Sequence, residues 1–67
     1  MKAGDRFTHY KKGGTYEIVT LAVQEDTLEP LVVYRNLDKD SMWVRTYTNF
    51  TEEVEHQGKN VKRFTSV

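Results

Sequence analysis

The chain contains no cysteine, which excludes disulfide bonds and thiolate metal sites. Small extracellular domains usually depend on such cross-links, so their absence favours a reducing compartment and predicts a cytoplasmic protein. No apolar run approaches the roughly 18 residues of a membrane span. The stretch from Met1 to Asp5 also lacks the apolar segment of a signal peptide. We therefore expect no membrane partner.

An excess of charge of one sign is also lacking. Ten basic and ten acidic residues cancel to a formal net charge of zero. Nucleic-acid affinity comes largely from neutralising phosphates, so a neutral chain has no global attraction to duplex DNA. A local basic patch remains compatible with the sequence, because Lys11 and Lys12 follow Arg6 closely. The plainer interpretation is a solvated surface of mixed charge.

Residues that could carry catalysis are sparse. Ser41 and Ser66 are the only serines, and neither lies in the Gly-x-Ser-x-Gly turn of a hydrolase nucleophile. His9 and His56 are the only histidines, and they form no pair with metal-ligand spacing. The Lys11-Lys12-Gly13-Gly14 stretch lacks the helix that a phosphate loop requires. We predict that the protein is not an enzyme and has no metal or other cofactor.

What the chain does contain is runs of β-branched and aromatic residues separated by turn signals. Its 67 residues predict a single domain, residues 1–67. The predicted strands are Arg6 to Tyr10, Thr15 to Gln24, Leu31 to Leu37, Met42 to Tyr47, Glu52 to His56 and Asn60 to Ser66. The predicted turns are Lys12-Gly13-Gly14, Asp38-Lys39-Asp40-Ser41 and Gln57-Gly58-Lys59.

This spacing predicts an all-β fold, a small SH3-like β-barrel of five or six short antiparallel strands. The Tyr47 to Phe50 stretch is too short for an α-helix and suits one 3₁₀ turn before the last strands. An open β-meander and an OB-type barrel are the alternative folds. A second local alternative is a helix that begins after Thr51 as N-cap.

A chain of this size buries only roughly 60% of the surface that its unfolded form exposes. Most large apolar side chains are therefore expected in the core, with few left to line an apolar ligand pocket. The same argument favours Trp43, the only tryptophan, as a core residue. For Arg45, two residues further on, the structural interpretation is an ion pair with Glu29 or Glu17.

Aromatic residues and cations are adjacent on several predicted strands. This set comprises His9, Tyr10, Tyr34, Arg35, Trp43, Arg45 and Tyr47. Strand alternation places Met42 and Val44 on one face and Trp43 and Arg45 on the other. Exposed aromatic rings can stack on bases, grip prolines or hold a cation, and arginine can bind a carboxylate or phosphate with two hydrogen bonds. The set therefore indicates a candidate binding surface.

The chain resembles the bacterial family known as domain of unknown function 1653 across nearly its whole length. The resemblance is carried by Gly4-x-x-Phe7-x-His9-Tyr10-Lys11-x-Gly13, Tyr16-Glu17-Ile18, Asp26-Thr27-Leu28-Glu29, Val32-Val33-Tyr34-Arg35, Trp43-Val44-Arg45, Phe50, Val54, Gly58 and Arg63-Phe64. Thr46 stands where the family has proline after the arginine. Thr46 restores a backbone donor, so a looser turn is expected there.

The resemblance implies a compact β domain and supplies no activity. It does imply a shared site or structural network, and the candidate binding residues that match the family pattern are His9, Tyr10, Thr27, Glu29, Tyr34, Trp43 and Arg45. The leading hypothesis is a non-enzymatic module that binds a peptide, a nucleotide or single-stranded nucleic acid, with Glu29 orienting the arginine. One alternative is a small enzyme that uses His9 and Glu29 for acid–base chemistry. Another is an assembly domain that pairs through the edge strand Glu52 to His56, although a monomer is favoured.

Overall fold

The computed structural model describes residues 1–67 and is built mainly of antiparallel strands. The elements are β1 (Arg6–His9), β2 (Gly13–Val23), β3 (Pro30–Asn36), β4 (Ser41–Thr46), α1 (Tyr47–Thr51), β5 (Glu53–His56), β6 (Lys59–Lys62) and β7 (Phe64–Ser66). The all-β prediction is confirmed, and each predicted strand coincides with one or two observed strands to within about two residues at either end. The count is seven instead of five or six, because the predicted last strand divides at Arg63.

Five strands form one sheet in the order β4-β3-β2-β1-β7, and β5 and β6 form a separate hairpin. No ladder joins β4 to β7, so the large sheet stays open with these two strands at its edges. The predicted SH3-like barrel is therefore not confirmed. Arg63 separates β6 of the hairpin from β7 of the large sheet. Its backbone N–H donates to Glu52 O, and its carbonyl accepts from Tyr10 N. These bonds tie the hairpin to the sheet without closing it.

The predicted turn at Gln57 and Gly58 is observed, whereas the first turn covers Tyr10 to Lys12 and Gly13 and Gly14 begin β2. Gly13 and Gly14 have φ values of 64° and 71°, a region that glycine enters without steric cost. The β5–β6 hairpin turns at Gln57 and Gly58, which both have positive φ, as a two-residue type I′ loop requires. The pairing of the long strand β2 with β3 is interrupted by a register shift between Ile18 and Thr20.

The segment predicted as a 3₁₀ turn is a short α-helix, and the alternative helix after Thr51 is wrong because Glu53–His56 is a strand. Thr46 is the N-cap: its hydroxyl accepts a hydrogen bond from Asn49 N at 3.1 Å. Thr46 thus fixes the turn after Arg45 instead of loosening it. No helix in the chain has the length and apolar character needed to cross a membrane.

The core is small and largely aromatic. Its buried hydrophobic members are Tyr16, Ile18, Val32, Tyr34, Phe50 and Phe64. The rings of Phe50 and Phe64 stack with centroids 4.0 Å apart. The expectation that most large apolar side chains are buried is wrong, since Val44 is 58% exposed and Trp43 is 54% exposed. A sheet that stays open leaves its edge strand β4 half solvated, and both residues lie on that strand.

Candidate functional site

A cleft of about 490 Å³ opens beside the aromatic core, between the β1–β2 turn and the β3–β4 turn. The residues that line it are His9, Lys12, Gly13, Gly14, Tyr16, Tyr34, Asn36, Asp38, Lys39, Ser41, Trp43, Arg45 and Phe64. The β3–β4 register explains part of this set, because Tyr34 lies opposite Trp43 and Asn36 opposite Ser41. Directly opposed residues point to the same side of a sheet, so these side chains converge.

The structure brings four of the seven predicted site residues together: His9, Tyr34, Trp43 and Arg45 all line the cleft. Tyr10 lies next to them but outside the lining, with its ring 4.8 Å from that of His9. The β3–β4 pairing places Trp43 and Arg45 on the same face, as strand alternation predicts.

Thr27 and Glu29 do not belong to the cleft. Both lie in the β2–β3 connection, where Thr27 Oγ1 accepts a hydrogen bond from Glu29 N at 3.2 Å. The carbonyl of Glu29 accepts from Gln24 N at the far end of β2. His9 pairs with Gly13 at the other end of that 11-residue strand, so His9 and Glu29 lie at opposite ends of β2. Glu29 also makes no ion pair with Arg45 and does not line the cleft that contains His9, so the structure places it in neither of its predicted roles.

Neutral groups hold the guanidinium of Arg45. Its Nε donates to Tyr34 Oη at 2.9 Å, and its Nη1 donates to Asn49 Oδ1 at 2.5 Å. The guanidinium carbon also lies 5.5 Å from the centroid of the Phe64 ring. These contacts fix the side chain in a partly buried position, and none of them neutralises its charge.

Arg45 is the only arginine in the chain without an acidic partner. The other three form ion pairs: Arg6 with Glu17, Arg35 with Glu17 and Asp40, and Arg63 with Glu52. No carboxylate oxygen lies within 4.0 Å of Arg45, so the predicted ion pair with Glu29 or Glu17 is absent. An immobilised, uncompensated guanidinium in a cleft is well prepared to bind an anion.

A polar network behind Arg45 was not predicted from the sequence. Asn49 Nδ2 donates to Glu52 Oε1 at 3.2 Å, and Arg63 donates to the same carboxylate and to Asn49 O. Glu52 thus neutralises Arg63. Asn49 links this ion pair to Arg45, because it hydrogen-bonds to both Glu52 and Arg45. The Trp43-Val44-Arg45 motif was the one signal in the sequence that pointed to this region. Nothing in the spacing of Asn49, Glu52 and Arg63 marks them as partners.

His9 is buried and acts as a hydrogen-bond acceptor on one side of its ring. Its Nδ1 accepts from Lys11 N at 3.1 Å and from Lys12 N at 3.2 Å, so the ring proton is on Nε2. Burial lowers the pKa of His9, and the nearby positive charges of Arg45 and the lysines lower it further. The Nε2 atom has no protein partner and keeps solvent access, since Arg35 Nε is the only buried side-chain polar atom left unpaired. His9 therefore presents a neutral N–H donor.

Trp43 contributes an exposed planar surface instead of core volume. Its indole Nε1 donates to Ser41 Oγ at 2.9 Å, which holds the ring in one orientation along the strand. The residue is 54% exposed, so much of its surface is open to solvent. The expectation of a core tryptophan is wrong, because the open sheet leaves this edge uncovered.

The rim of the cleft carries two lysines and one carboxylate, Lys12, Lys39 and Asp38. Asn36 Oδ1 accepts from Asp38 N at 2.9 Å and from Lys39 N at 3.1 Å, which orders the β3–β4 turn and leaves the amide NH₂ of Asn36 as a donor. A Cβ on Gly14 would lie 2.9 Å from Asp38 Oδ2, so the two turns approach closely there. With Arg45 included, positive side chains outnumber negative ones by three to one in the lining.

No group of three or more histidine, aspartate or glutamate side chains is placed to hold a metal ion. The fold and the cleft define a small, mainly β domain with one basic, aromatic recess. The family model described as protein of unknown function (DUF1653) matches residues 5–66, so the chain belongs to this family and the resemblance is confirmed. No curated protein and no solved structure matches the chain significantly.

Proposed function

We propose that this protein is a non-enzymatic binding module of the bacterial cytoplasm, and that an anionic ligand binds in the cleft around Arg45. The observation that carries the proposal is the missing counter-ion: Arg45 is the only arginine without a carboxylate partner, and it lines the cleft. A partly buried charge without a partner costs folding free energy. An anionic ligand supplies the partner and recovers that free energy on binding.

Three further features support an anion. His9 presents its Nε2–H donor, and Lys12 and Lys39 add positive charge at the rim. The polar network through Asn49 holds Arg45 in place before the ligand arrives. Preorganised donors lose little entropy on binding, so even a small cleft can bind its ligand specifically.

The acid–base alternative loses its motive because Glu29 lies at the opposite end of β2 from His9. The assembly alternative retains a free edge on β5, since β6 occupies the other edge. Acidic side chains at Glu53 and Glu55 oppose pairing of this edge with a second copy. A monomer mass that does not change with concentration in sedimentation would remove the homodimer version.

The test is an amide ¹H–¹⁵N NMR titration of the protein with nucleotides, short single-stranded oligonucleotides and peptide pools. We expect at least one pool to change the amide chemical shifts of residues at the cleft. These changes should be lost in Arg45→Gln. Arg6→Gln is the matched control, because Arg6 lies outside the cleft and pairs with Glu17. Shifts that persist in folded Arg45→Gln, or a dispersed spectrum unchanged by every pool, would contradict the proposal.

A further inference from the structure

We infer that the ligand of this cleft is a nucleoside monophosphate unit, either a free nucleotide or one nucleotide of a single strand. This inference rests on the proposed function and specifies its ligand. It is carried by the combination of one exposed indole face, a set of oxyanion donors and a lining without aliphatic side chains, all within a single recess.

The apolar part of the lining selects for a planar group. Its four hydrophobic members are Tyr16, Tyr34, Trp43 and Phe64, and all of them are aromatic. A pocket that anchors a leucine, isoleucine or valine side chain of a peptide would normally include aliphatic walls. Aromatic faces instead stack on flat rings, and nucleobases use this contact in a sequence-tolerant way.

The position of Trp43 suits stacking. Cross-strand pairing fixes its backbone opposite Tyr34, and the hydrogen bond to Ser41 Oγ fixes the indole plane. The residue is 54% exposed and lines the cleft, so a base that enters the cleft can stack on the accessible part of the indole. The ring is therefore held in place before binding and needs little rearrangement.

The polar part of the lining matches a phosphate together with a sugar or base edge. Arg45 and the His9 Nε2–H are donors fixed by hydrogen bonds on their other atoms, and they fit phosphate oxygens. Asn36 offers an NH₂ donor, and Asp38 is the one carboxylate acceptor in the cleft. A carboxylate would repel a bare oxyanion, whereas ribose hydroxyls and base amino groups donate to one.

The size of the cleft limits the ligand. A volume of about 490 Å³ lies in the lower half of the range for small-molecule sites, which is roughly 300–1,000 Å³. One nucleotide fits within such a volume. A longer strand would have to continue over a surface whose charges cancel overall.

The test is isothermal titration calorimetry of the full chain with the four nucleoside 5′-monophosphates, the nucleosides, ribose 5-phosphate, a five-nucleotide RNA and a phosphotyrosine peptide. At least one monophosphate should bind at least tenfold more tightly than both its nucleoside and ribose 5-phosphate. Trp43→Leu should weaken that binding by tenfold or more, while Trp43→Phe, which keeps a planar ring, should weaken it less. Both variants should retain a dispersed amide spectrum.

The remaining outcomes separate the inference from the proposed function. Tighter binding of the RNA than of any monophosphate identifies a strand as the source of the nucleotide, and weaker binding identifies the free nucleotide; both support the inference. Arg45-dependent binding of the phosphotyrosine peptide without nucleotide binding would overturn the inference and leave the proposed function intact. Binding of nothing in the series, together with a spectrum unchanged by every pool, would overturn both.

Discussion

The proposal that Arg45 binds a ligand depends on the partners of this one residue. Arg63 lies close behind it and is neutralised by Glu52, whereas Arg45 is held by a phenol oxygen and an amide oxygen. Neutral acceptors fix the direction of a guanidinium and leave its charge available. The two arginines therefore differ in their partners: Arg63 has a carboxylate and Arg45 has none.

Replacement of Trp43 by alanine should separate stability from binding. Because the side chain is about half exposed, its loss should cost about 1–1.5 kcal/mol of unfolding free energy, roughly half the value of a fully buried large side chain. Phe64→Ala should cost about 3–5 kcal/mol, since Phe64 is buried and stacked on Phe50. Urea unfolding measures both values. A larger loss for Trp43→Ala than for Phe64→Ala would show that the tryptophan is structural.

The protonation of His9 should make the folded protein sensitive to acid. Its pKa is lowered in the fold by burial and by Arg45, so below about pH 6.5 the unfolded chain binds a proton that the folded chain does not. Unfolding free energy should therefore fall as the pH drops from 7.5 through 6.5 towards the folded pKa, by at most about 1.4 kcal/mol per pH unit.

His9→Asn is the matched variant for this test, because its Oδ1 can replace Nδ1 as acceptor for the amides of Lys11 and Lys12. The difference in stability between pH 7.5 and 5.5, measured by urea unfolding, should be smaller in the variant than in the natural chain. An unchanged difference would show that His9 is not the group responsible.

At the scale of elements, the short helix α1 connects edge strand β4 to the network that supports the cleft. Thr46 accepts from Asn49 N with its hydroxyl, and Asn49 in turn accepts from Arg45. A helix of five residues has little stability of its own. Its position depends on this cap and on Phe50, which is buried in the core.

Thr46→Ala should lower the unfolding free energy by about 1 kcal/mol, because the N-cap hydrogen bond is lost. It should also weaken ligand binding, since Asn49 would hold Arg45 less firmly. Urea unfolding and calorimetric titration measure the two effects. Thr48→Ala is the control: Thr48 is exposed in the same helix, so stability and affinity should stay nearly unchanged. Equal losses in both variants would count against the cap.

Turns and strands were accessible from the sequence because their signals are local. Gly13, Gly14 and Gly58 mark positive φ, and alternation in Met42 to Arg45 gives the correct faces. The position of Glu29 was not accessible, since it depends on how far β2 extends beyond its pairing with β1. The contacts among Asn49, Glu52 and Arg63 could not be predicted either. They depend on the path of the chain after β6, which no short-range sequence pattern indicates.

The spacing of the strands in the sequence left open whether the sheet closes into a barrel, and the predicted barrel is not confirmed. Strands of this length and spacing suit either a closed barrel or an open sheet, and closure is decided by long-range pairing of the first and last strands. Here β4 pairs only with β3 and its outer edge has no partner strand, and Trp43 on this strand is exposed. The same difference in fold therefore explains why the predicted core tryptophan is a surface residue of the cleft.

For the whole molecule, the distribution of charge matters more than its sum. The net charge is zero, yet the cleft lining holds Lys12, Lys39 and Arg45 against Asp38 alone. Such a local excess attracts a small anion at short range and gives no extended basic surface for a nucleic-acid backbone.

Nucleotide binding should therefore depend only weakly on salt. About two neutralised charges give a decrease in affinity of less than about tenfold between 50 and 200 mM salt, whereas six to ten phosphate contacts would give about 10³–10⁵. Calorimetry at the two concentrations measures this ratio. A decrease of 10³-fold or more would mean that a long strand contacts much of the molecular surface.

The most direct measurement of the central claim observes the Arg45 guanidinium itself by ¹H–¹⁵N NMR of its Nε and Nη groups during titration with the nucleoside monophosphate that binds most tightly. We predict that these signals shift and that their hydrogen exchange slows, while the side-chain signals of Arg6 and Arg35 stay unchanged. Saturating binding that leaves the Arg45 signals unchanged would contradict the account.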